Sequence, residues 1–482
     1  MLVVVPSGKD IQAYSERLDF FLGSDTNGRT TCLEDSLFRF PSIMDGSLLF
    51  STSHVRGIKE RLESLYTILT SPKGKIFVVS SQALLEKAIP SKVLLENTEY
   101  IVEGEEIDRD ELVKRLVSRG YYVTTLVEEP GDASVRGGIL DIFPPLYNNP
   151  VRIELFGDTV ETIRTFNPAT QKSVHRLEDA IILPAKEVIL SEDKKDTVEK
   201  KLFDSFRQLN PKTSSQHSWL NKIREWSHFT GIERLLSFFY ETPGKITDFL
   251  PSDLIIVYAD PGEHTRAITE YWEKAQKDFE KKVYEEEWTP PPETFLSRPE
   301  DIYEDLKGWQ ILENDYTSDS GFTSQESTRL HFETEDNQDV VDAFRAHEKR
   351  ERFLEPLVNK LNLLKTEGIS SFLVCSTVEQ ARRFAELLES YDLRTEYTKD
   401  PFAYLSRESS TVRVLHGHLD KGFSWPTEGF AIITEEEILG TKPRRRPKKA
   451  AAGAFINSFK DLSSGDLVVH IDHGIGIYRG ID

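Results

Sequence analysis

The sequence is poor in cysteine and in clustered metal ligands. Its 482 residues include only two cysteines, Cys32 and Cys375, which lie far apart and have no histidine or second cysteine beside them. This pattern excludes a disulfide framework and a zinc site of the usual spacing, and it suits a reducing cytoplasm. The cluster His470, Asp472 and His473 is interpreted as turn residues, because strand alternation would send the first two to one face and leave the third at the turn. We therefore expect no metal site.

Long apolar runs are also missing. The first one ends at Pro6 after five residues, which is too short for a signal peptide. No later run approaches the roughly 20 residues that a membrane span requires. We expect a soluble, cytoplasmic protein that has no membrane partner.

Positive charge is scarce as well. The chain has 60 Lys and Arg against 81 Asp and Glu, so its formal net charge is −21. This charge opposes long-range attraction to DNA, RNA or an anionic membrane, and we expect weak or no DNA binding. The one concentrated basic run, residues 442–449, is interpreted as a solvated linker, with contact to a phosphate or a partner as the alternative.

A phosphate-binding loop is absent. ATP-driven motors use G-x-x-x-x-G-K-[ST], because its backbone N–H groups and lysine surround the phosphates while the hydroxyl binds Mg²⁺. The Gly-Lys pairs that end at Lys9, Lys75 and Lys245 lack both the earlier glycine and the following Ser or Thr. We therefore predict no catalytic residues and no cofactor for this chain.

What the sequence does contain is the pattern of a multidomain α/β protein. A hydrophobic content of 38% and a length of 482 residues indicate about three globular domains. Apolar runs at Leu2–Val5, Lys75–Ser80 and Phe249–Ala259, each followed by a helix, resemble the α/β layer of nucleotide hydrolases. Between the second and the third of these runs, short alternating strands predict a small antiparallel sheet with one covering helix, capped by Asp108 and Glu111.

The predicted domains are therefore a first α/β domain in two parts, an insertion, a second compact α/β domain, a linker and a final module. The two parts of the first domain are residues 1–104 and 191–335, and the inserted α+β domain is residues 105–190. The second compact α/β domain is residues 340–440, the basic linker is residues 441–458, and the final module is residues 459–482.

The insertion carries the candidate binding residues. In Val151–Phe156 the period of two places Arg152, Glu154 and Phe156 on the face away from the core. A guanidinium beside a large ring is typical of a protein-binding hot spot. The alternative is an Arg152–Glu154 surface pair, with Phe156 packed under the covering helix. Arg136 precedes Gly137 and Gly138, which permit close approach of another backbone.

Several motifs resemble a known family. Three segments resemble the second domain of the bacterial UvrB proteins and of their relatives, the transcription-repair coupling factors (the Mfd family). They are R-G-G-I-L-D-I-F-P (136–144), R-I-E-L-F-G-D (152–158) and I-R-T-F-N-P-A-T-Q-K-S (163–173). Two segments favour the coupling factors: Glu435–Leu439 with the basic residues after it, and G-D-L-V-V-H-I-D-H-G-I-G-I-Y-R-G (465–480), which resembles the opening of their RNA-polymerase-interaction domain.

This resemblance implies an N-terminal portion of a coupling factor that recruits UvrA for nucleotide excision repair. The first domain would be a degenerate RecA/helicase-like fold interrupted by a UvrB domain 2-like insertion, and residues 459–482 would begin a small β-barrel that binds RNA polymerase. By motif position, UvrA contacts fall on Arg136, Arg152 and Phe156. ATP and Mg would belong to the motor domains of the longer protein, a DNA translocase that displaces stalled polymerase. We expect that residues before Leu2 and after Asp482 are missing.

The alternative is an active UvrB-like enzyme that binds damaged DNA in a nucleotide-dependent manner. It fits less well, because the phosphate loop is absent and because Cys32–Ser53 lacks the tyrosine-rich hairpin of UvrB.

Overall fold

The structure is a computed structural model. It describes residues 1–22, 36–43, 52–314, 328, 330–346, 353–398, 410–440, 467–470 and 474–477. The chain divides into two compact units, Met1–His331 and Phe332–Asp482.

The first unit begins with alternating strands and helices. Consecutive apolar residues in β1 and β3 are buried because strands of a parallel sheet are covered on both faces. The predicted strands at Leu2–Val5 and Lys75–Ser80 are confirmed, and β2 was not predicted. A further strand predicted at Leu48–Ser51 lies outside the described residues. The elements are β1 (Leu2–Val5), α1 (Gly8–Leu22), β2 (Leu37–Phe40), α2 (Thr52–Thr70), β3 (Ile76–Ser80), α3 (Ser81–Leu85), α4 (Ser91–Glu96) and β4 (Glu99–Val102).

The middle of this unit is a six-stranded sheet with one helix. Asp108 caps that helix as predicted, since its side chain accepts a hydrogen bond from the backbone N–H of Glu111. The strand order is β10-β9-β8-β7-β6-β5. The prediction of an antiparallel sheet holds except at one edge, where β5 pairs with β6 in parallel. The elements are α5 (Arg109–Ser118), β5 (Tyr122–Val123), β6 (Asp132–Arg136), β7 (Ile139–Ile142), β8 (Val151–Phe156), β9 (Thr159–Phe166), β10 (Ser173–Leu177) and β11 (Asp179–Ile182).

The last part of the unit returns to the first sheet. β1 pairs in parallel with β3 and with a strand that lies about 250 residues later in the sequence, so one five-stranded sheet has the order β13-β12-β1-β3-β2. The remaining elements are α6 (Lys195–Leu209), α7 (Thr213–Arg224), α8 (Leu236–Phe239), β12 (Ile255–Tyr258), α9 (Pro261–Tyr284), α10 (Pro299–Leu306) and β13 (Gln310–Glu313).

A buried charge cluster connects these parts of the first unit. The side chains of Arg61, Glu86 and Glu187 are fully buried. Arg61 on α2 donates to Glu86 at 2.9 Å and to Glu187 at 2.6 Å. Because a buried charge needs a partner, these contacts fix α2 to the segment after β3 and to the segment after β11.

The second unit is a mixed sheet with helices. Its strand order is β14-β18-β19-β15-β17-β16. The prediction of one helix over Phe344–Thr366 is wrong, since α11 ends at Ala346 and α12 begins at Glu355 after a turn. The elements are β14 (Glu335–Asp336), α11 (Gln338–Ala346), α12 (Glu355–Thr366), β15 (Ser370–Cys375), α13 (Val378–Glu389), β16 (Arg394–Thr398), β17 (Thr411–His416), β18 (Phe423–Trp425), β19 (Phe430–Thr434), α14 (Glu435–Leu439), β20 (Leu467–His470) and β21 (Gly474–Ile477). The mixed α/β class that the sequence predicts is confirmed.

Candidate protein-interaction face

The three predicted site residues lie on the six-stranded sheet. Arg136 ends β6, while Arg152 and Phe156 belong to β8. The strand between them, β7, places Asp141 directly opposite Arg152. Directly opposite residues of neighbouring strands share one face of a sheet. We call the side of the sheet with Arg136, Arg152 and Phe156 the candidate face.

One buried carboxylate holds both arginines. The Asp141 side chain is 1% exposed. Arg152 donates to its two oxygens at 2.6 and 2.8 Å, and Arg136 donates at 2.7 Å. The hydrogen bonds that Arg152 donates to the Asp141 carboxylate raise the pKa of the Arg152 guanidinium above its usual value. Asp141 therefore fixes the position of both guanidinium groups.

Arg152 has two further supports. Its guanidinium carbon lies 4.3 Å from the centre of the Phe166 ring, and an Nη atom donates to the side-chain oxygen of Gln171 at 3.1 Å. Stacking on a ring and a second acceptor both restrict the side chain. Arg152 therefore presents only an edge to solvent, whereas Arg136 is about half exposed.

Phe156 is an exposed aromatic residue at the end of β8. Its exposed fraction is 80%. The alternative in which Phe156 packs under α5 is therefore wrong. The surface pair between Arg152 and Glu154 is also wrong, because Arg152 pairs with Asp141 and Glu154 pairs with Arg164. Covering a phenylalanine ring on association contributes about 1.5–3 kcal/mol.

The sequence pattern did not identify Asp141, Phe166 and Gln171 as supports of the face. The alternation in I-L-D-I (139–142) places Asp141 away from the core, and this was the one sign in the sequence that Asp141 lies on the candidate face. The pairing itself depends on the register between strands, and a turn places Gln171 beside Arg152 with a φ of 58°.

The lysines of the three Gly-Lys pairs lie in different places. Lys9 belongs to α1, beyond the carboxyl end of β1, whereas Lys75 precedes the amino end of β3. Since β1 and β3 are parallel, these two lysines lie at opposite edges of the sheet. Lys245 donates to Asp305 at 2.7 Å.

The other residues singled out in the sequence are a cysteine, the basic run and the residues of a predicted turn. Cys375 is buried, and burial raises the pKa of its thiol to about 12. Residues 442–449, Asp472 and His473 lie outside the described residues.

Within the described ranges, no group of three or more His, Cys, Asp or Glu residues is placed to hold a metal ion. In that same part of the chain, none of the helices is long and apolar enough to span a membrane.

The candidate face lies within a recognised domain class. Residues 100–188, which contain all three site residues, match the family model of the UvrB interaction domain. Residues 462–482 match that of the CarD-like/TRCF RID domain.

The chain is similar over nearly its whole length to proteins that share one name. The chain is 33% identical over 481 residues to the transcription-repair-coupling factor of Myxococcus xanthus, an alignment that covers 97% of this chain and 39% of that protein. It is 26% identical over 476 residues to that of Bacillus subtilis (strain 168), with 95% and 39% covered. For Staphylococcus aureus (strain MRSA252) the identity is 26% over 460 residues, with 93% and 38% covered.

The resemblance to the N-terminal portion of the transcription-repair coupling factors is thereby confirmed. The chain spans less than two fifths of the length of each of these relatives.

Proposed function

We propose that this chain is a non-catalytic N-terminal module of a transcription-repair coupling factor and that it recruits UvrA through the candidate face. The observation that carries the proposal is the arrangement of Arg136 and Arg152 around one buried carboxylate, on the same sheet face as the exposed ring of Phe156. This arrangement supports UvrA binding because it lies within a UvrB interaction domain.

The physical basis of the binding is preorganisation. Arginine and aromatic residues dominate protein interfaces, and an anchor already held in one conformation loses little entropy on association. Asp141 and Phe166 hold Arg152 in place before any partner arrives. Phe156 supplies the apolar contact, and Arg136 supplies a guanidinium that is still open to a partner's carboxylate or carbonyl group.

We propose the finer domain assignment on the same resemblance. The five-stranded sheet would belong to a degenerate RecA/helicase-like domain in two parts, 1–104 and 191–335, interrupted by the UvrA-binding insertion 105–190. Residues 340–440 would form a second α/β domain, 441–458 a basic linker, and 459–482 the start of a small β-barrel. In the longer protein that barrel would bind RNA polymerase.

The same proposal assigns ATP and Mg to motor domains of the longer protein, which would act in the cytoplasm as an ATP-dependent DNA translocase that displaces stalled polymerase. This chain would hold neither cofactor. The alternative function is a UvrB-like enzyme that binds damaged DNA with the help of nucleotide. DNA-stimulated ATP turnover by the purified chain, abolished by substitution of Lys9, Lys75 or Lys245, would favour that alternative.

The test of UvrA binding uses two variants and one control. Phe156→Ala removes an exposed ring, and Arg152→Ala removes the central arginine. We expect each to weaken UvrA binding by about thirtyfold, which corresponds to about 2 kcal/mol. Tyr284→Ala is the matched control, since Tyr284 is 90% exposed on α9. We expect it to leave affinity unchanged.

Titration of UvrA by calorimetry, with circular dichroism of each variant, measures these affinities. Arg152→Ala leaves Asp141 with one partner fewer, so a loss seen only in that variant would reflect folding. Equal affinity of the wild-type chain and Phe156→Ala would contradict the proposal.

A further inference from the structure

Three arginines stand directly opposite one another on neighbouring strands of the candidate face. Arg152 on β8 is paired in register with Arg164 on β9, and Arg164 is paired with Arg176 on β10. Side chains in such positions share one face and lie about 5 Å apart at their Cβ atoms. We call these three residues the arginine ladder. It leads from Arg152 to the outer edge of the sheet.

The fold alone does not account for this ladder. Like charges directly opposite one another destabilise a sheet. Each arginine has its own carboxylate, which offsets part of that repulsion. The pairs are Arg152 with Asp141 at 2.6 Å, Arg164 with Glu154 at 2.5 Å, and Arg176 with Glu103 at 3.0 Å. A sheet that needed only stability would place opposite charges, rather than arginines, directly across β8, β9 and β10.

Exposure makes the outer end of the ladder positive. The exposed fractions of the side chains rise from 12% for Arg152 to 29% for Arg164 and 71% for Arg176. The carboxylates of Asp141, Glu154 and Glu103 are 1%, 27% and 24% exposed. At the last pair the guanidinium therefore faces solvent much more than its carboxylate does.

We propose that the arginine ladder is part of the UvrA contact and receives an acidic segment of UvrA along β9 and β10. This inference rests on the proposed function and names further residues of the same surface. Phe156 and Arg152 would anchor the complex, and Arg176 would attract the partner's carboxylates before docking.

Charge favours a protein over a nucleic acid as the occupant. A phosphate backbone is uniformly negative, whereas the partly exposed carboxylates of Glu154 and Glu103 lie along the ladder and would repel its phosphates. The net charge of −21 adds repulsion over a longer range. An acidic protein segment can place single carboxylates beside single guanidinium groups, which is the geometry that arginine binds best.

The test compares two charge reversals of exposed arginines. Arg176→Glu changes the end of the ladder. Arg207→Glu is the matched control, because Arg207 is 82% exposed, is paired with Asp204, and belongs to α6 rather than to the six-stranded sheet. Both variants change the net charge by the same amount. Arg176→Gln is a milder variant that removes the charge without repulsion from Glu103.

The association rate constant with UvrA is measured by stopped-flow or surface plasmon resonance at low and high salt. Rim charges act mainly on association and lose their effect when salt screens them. We expect Arg176→Glu to slow association by about tenfold at about 50 mM salt and by less than about twofold at about 500 mM. Arg176→Gln should slow it by about threefold, and Arg207→Glu by less than about twofold.

The outcomes separate this inference from the proposed function. Equal slowing by Arg176→Glu and Arg207→Glu would overturn the inference, because only net charge would then matter. An unchanged rate for Arg176→Glu, together with lost affinity for Phe156→Ala, would overturn the inference and leave the proposed function standing. Unchanged binding in both variants would overturn both. Binding of duplex DNA that Arg176→Glu abolishes would assign the ladder to nucleic acid and overturn the inference.

Discussion

Asp141 and Arg61 show at the residue scale how this acidic chain handles buried charge. Asp141 lies beneath the candidate face with two arginines, and Arg61 lies in the interior with two glutamates. Removing a buried member of either group, such as Asp141 or Arg61, would leave charges without their partners, and breaking a buried pair commonly costs about 3–5 kcal/mol. Such residues therefore act through the groups that they hold in place.

His264 is a buried titratable residue that gives a pH dependence at the same scale. It is 1% exposed, and its Nδ1 lies 2.7 Å from the Ser81 hydroxyl. Burial lowers the pKa of this imidazole from 6.5 to about 3. Between these values the unfolded chain binds a proton that the folded chain does not bind. Stability therefore falls as the pH drops below about 6.5, by at most about 1.4 kcal/mol per pH unit.

Urea unfolding of the wild-type chain and of His264→Gln at several pH values measures this effect. The free energy of unfolding of the wild type should fall more steeply between about pH 6.5 and pH 4 than that of the variant. The comparison of slopes removes the contribution of the carboxylates, which both chains share. Parallel pH dependences would show that His264 does not titrate as described.

At the scale of elements, the sequence predicts best those strands that are buried on both sides. β1, β3, β15 and β19 each contain a run of four consecutive apolar residues, and all four were predicted. The short strand β2 and the largely exposed edge strand β10 were not, since neither has a long apolar or alternating pattern.

The candidate face was predictable to the extent that alternation within one strand determines it. Period two in β8 placed Arg152 and Phe156 on one side. The support from Asp141 and the alignment of Arg164 with Arg176 depend on cross-strand register. Register is set by turns and by packing of the whole sheet, so one strand's sequence does not reveal it.

Gly422 gives a prediction about the pairing of β18 with β19. A Cβ atom at this position would lie 2.0 Å from the Ile432 carbonyl oxygen and 2.8 Å from a carboxylate oxygen of Glu437. The Gly422 N–H also donates to Glu437 at 2.9 Å. Gly422→Ala must therefore separate the backbone from β19, and we expect a loss of at least about 3 kcal/mol.

Gly368→Ala is the comparison variant, because a Cβ there meets open space and only the φ of 76° is unfavourable. A cost of about 1–2 kcal/mol is expected for it. Hydrogen exchange measured by mass spectrometry on peptides that cover β19 reports the local loss. Equal protection of β19 in the two variants would contradict the close contact at Gly422.

At the scale of the whole molecule, charge separates the candidate face from the rest of the chain. The net charge is −21, yet Arg136 and the arginine ladder gather four guanidinium groups against only three carboxylates, those of Asp141, Glu154 and Glu103. At physiological salt the Debye length is about 8 Å, so a partner at the face feels those groups more than distant acids. A long polyanion extends over more of the surface and meets the acids too.

We therefore predict weak binding of duplex DNA by this chain. Non-specific complexes of DNA-binding proteins have dissociation constants of about 10⁻⁴–10⁻⁶ M at physiological salt, and we expect a value above about 10⁻⁴ M here. The measurement is fluorescence anisotropy of a labelled duplex, with and without a lesion.

A variant in which glutamine replaces the basic residues of 442–449 is the control, because this run has the highest local density of positive charge in the sequence. Any residual binding should disappear in that variant, and the lesion should make no difference. Submicromolar binding that survives added salt, or a preference for the damaged duplex, would instead support the UvrB-like alternative, because net repulsion would then be overcome by a dedicated DNA site.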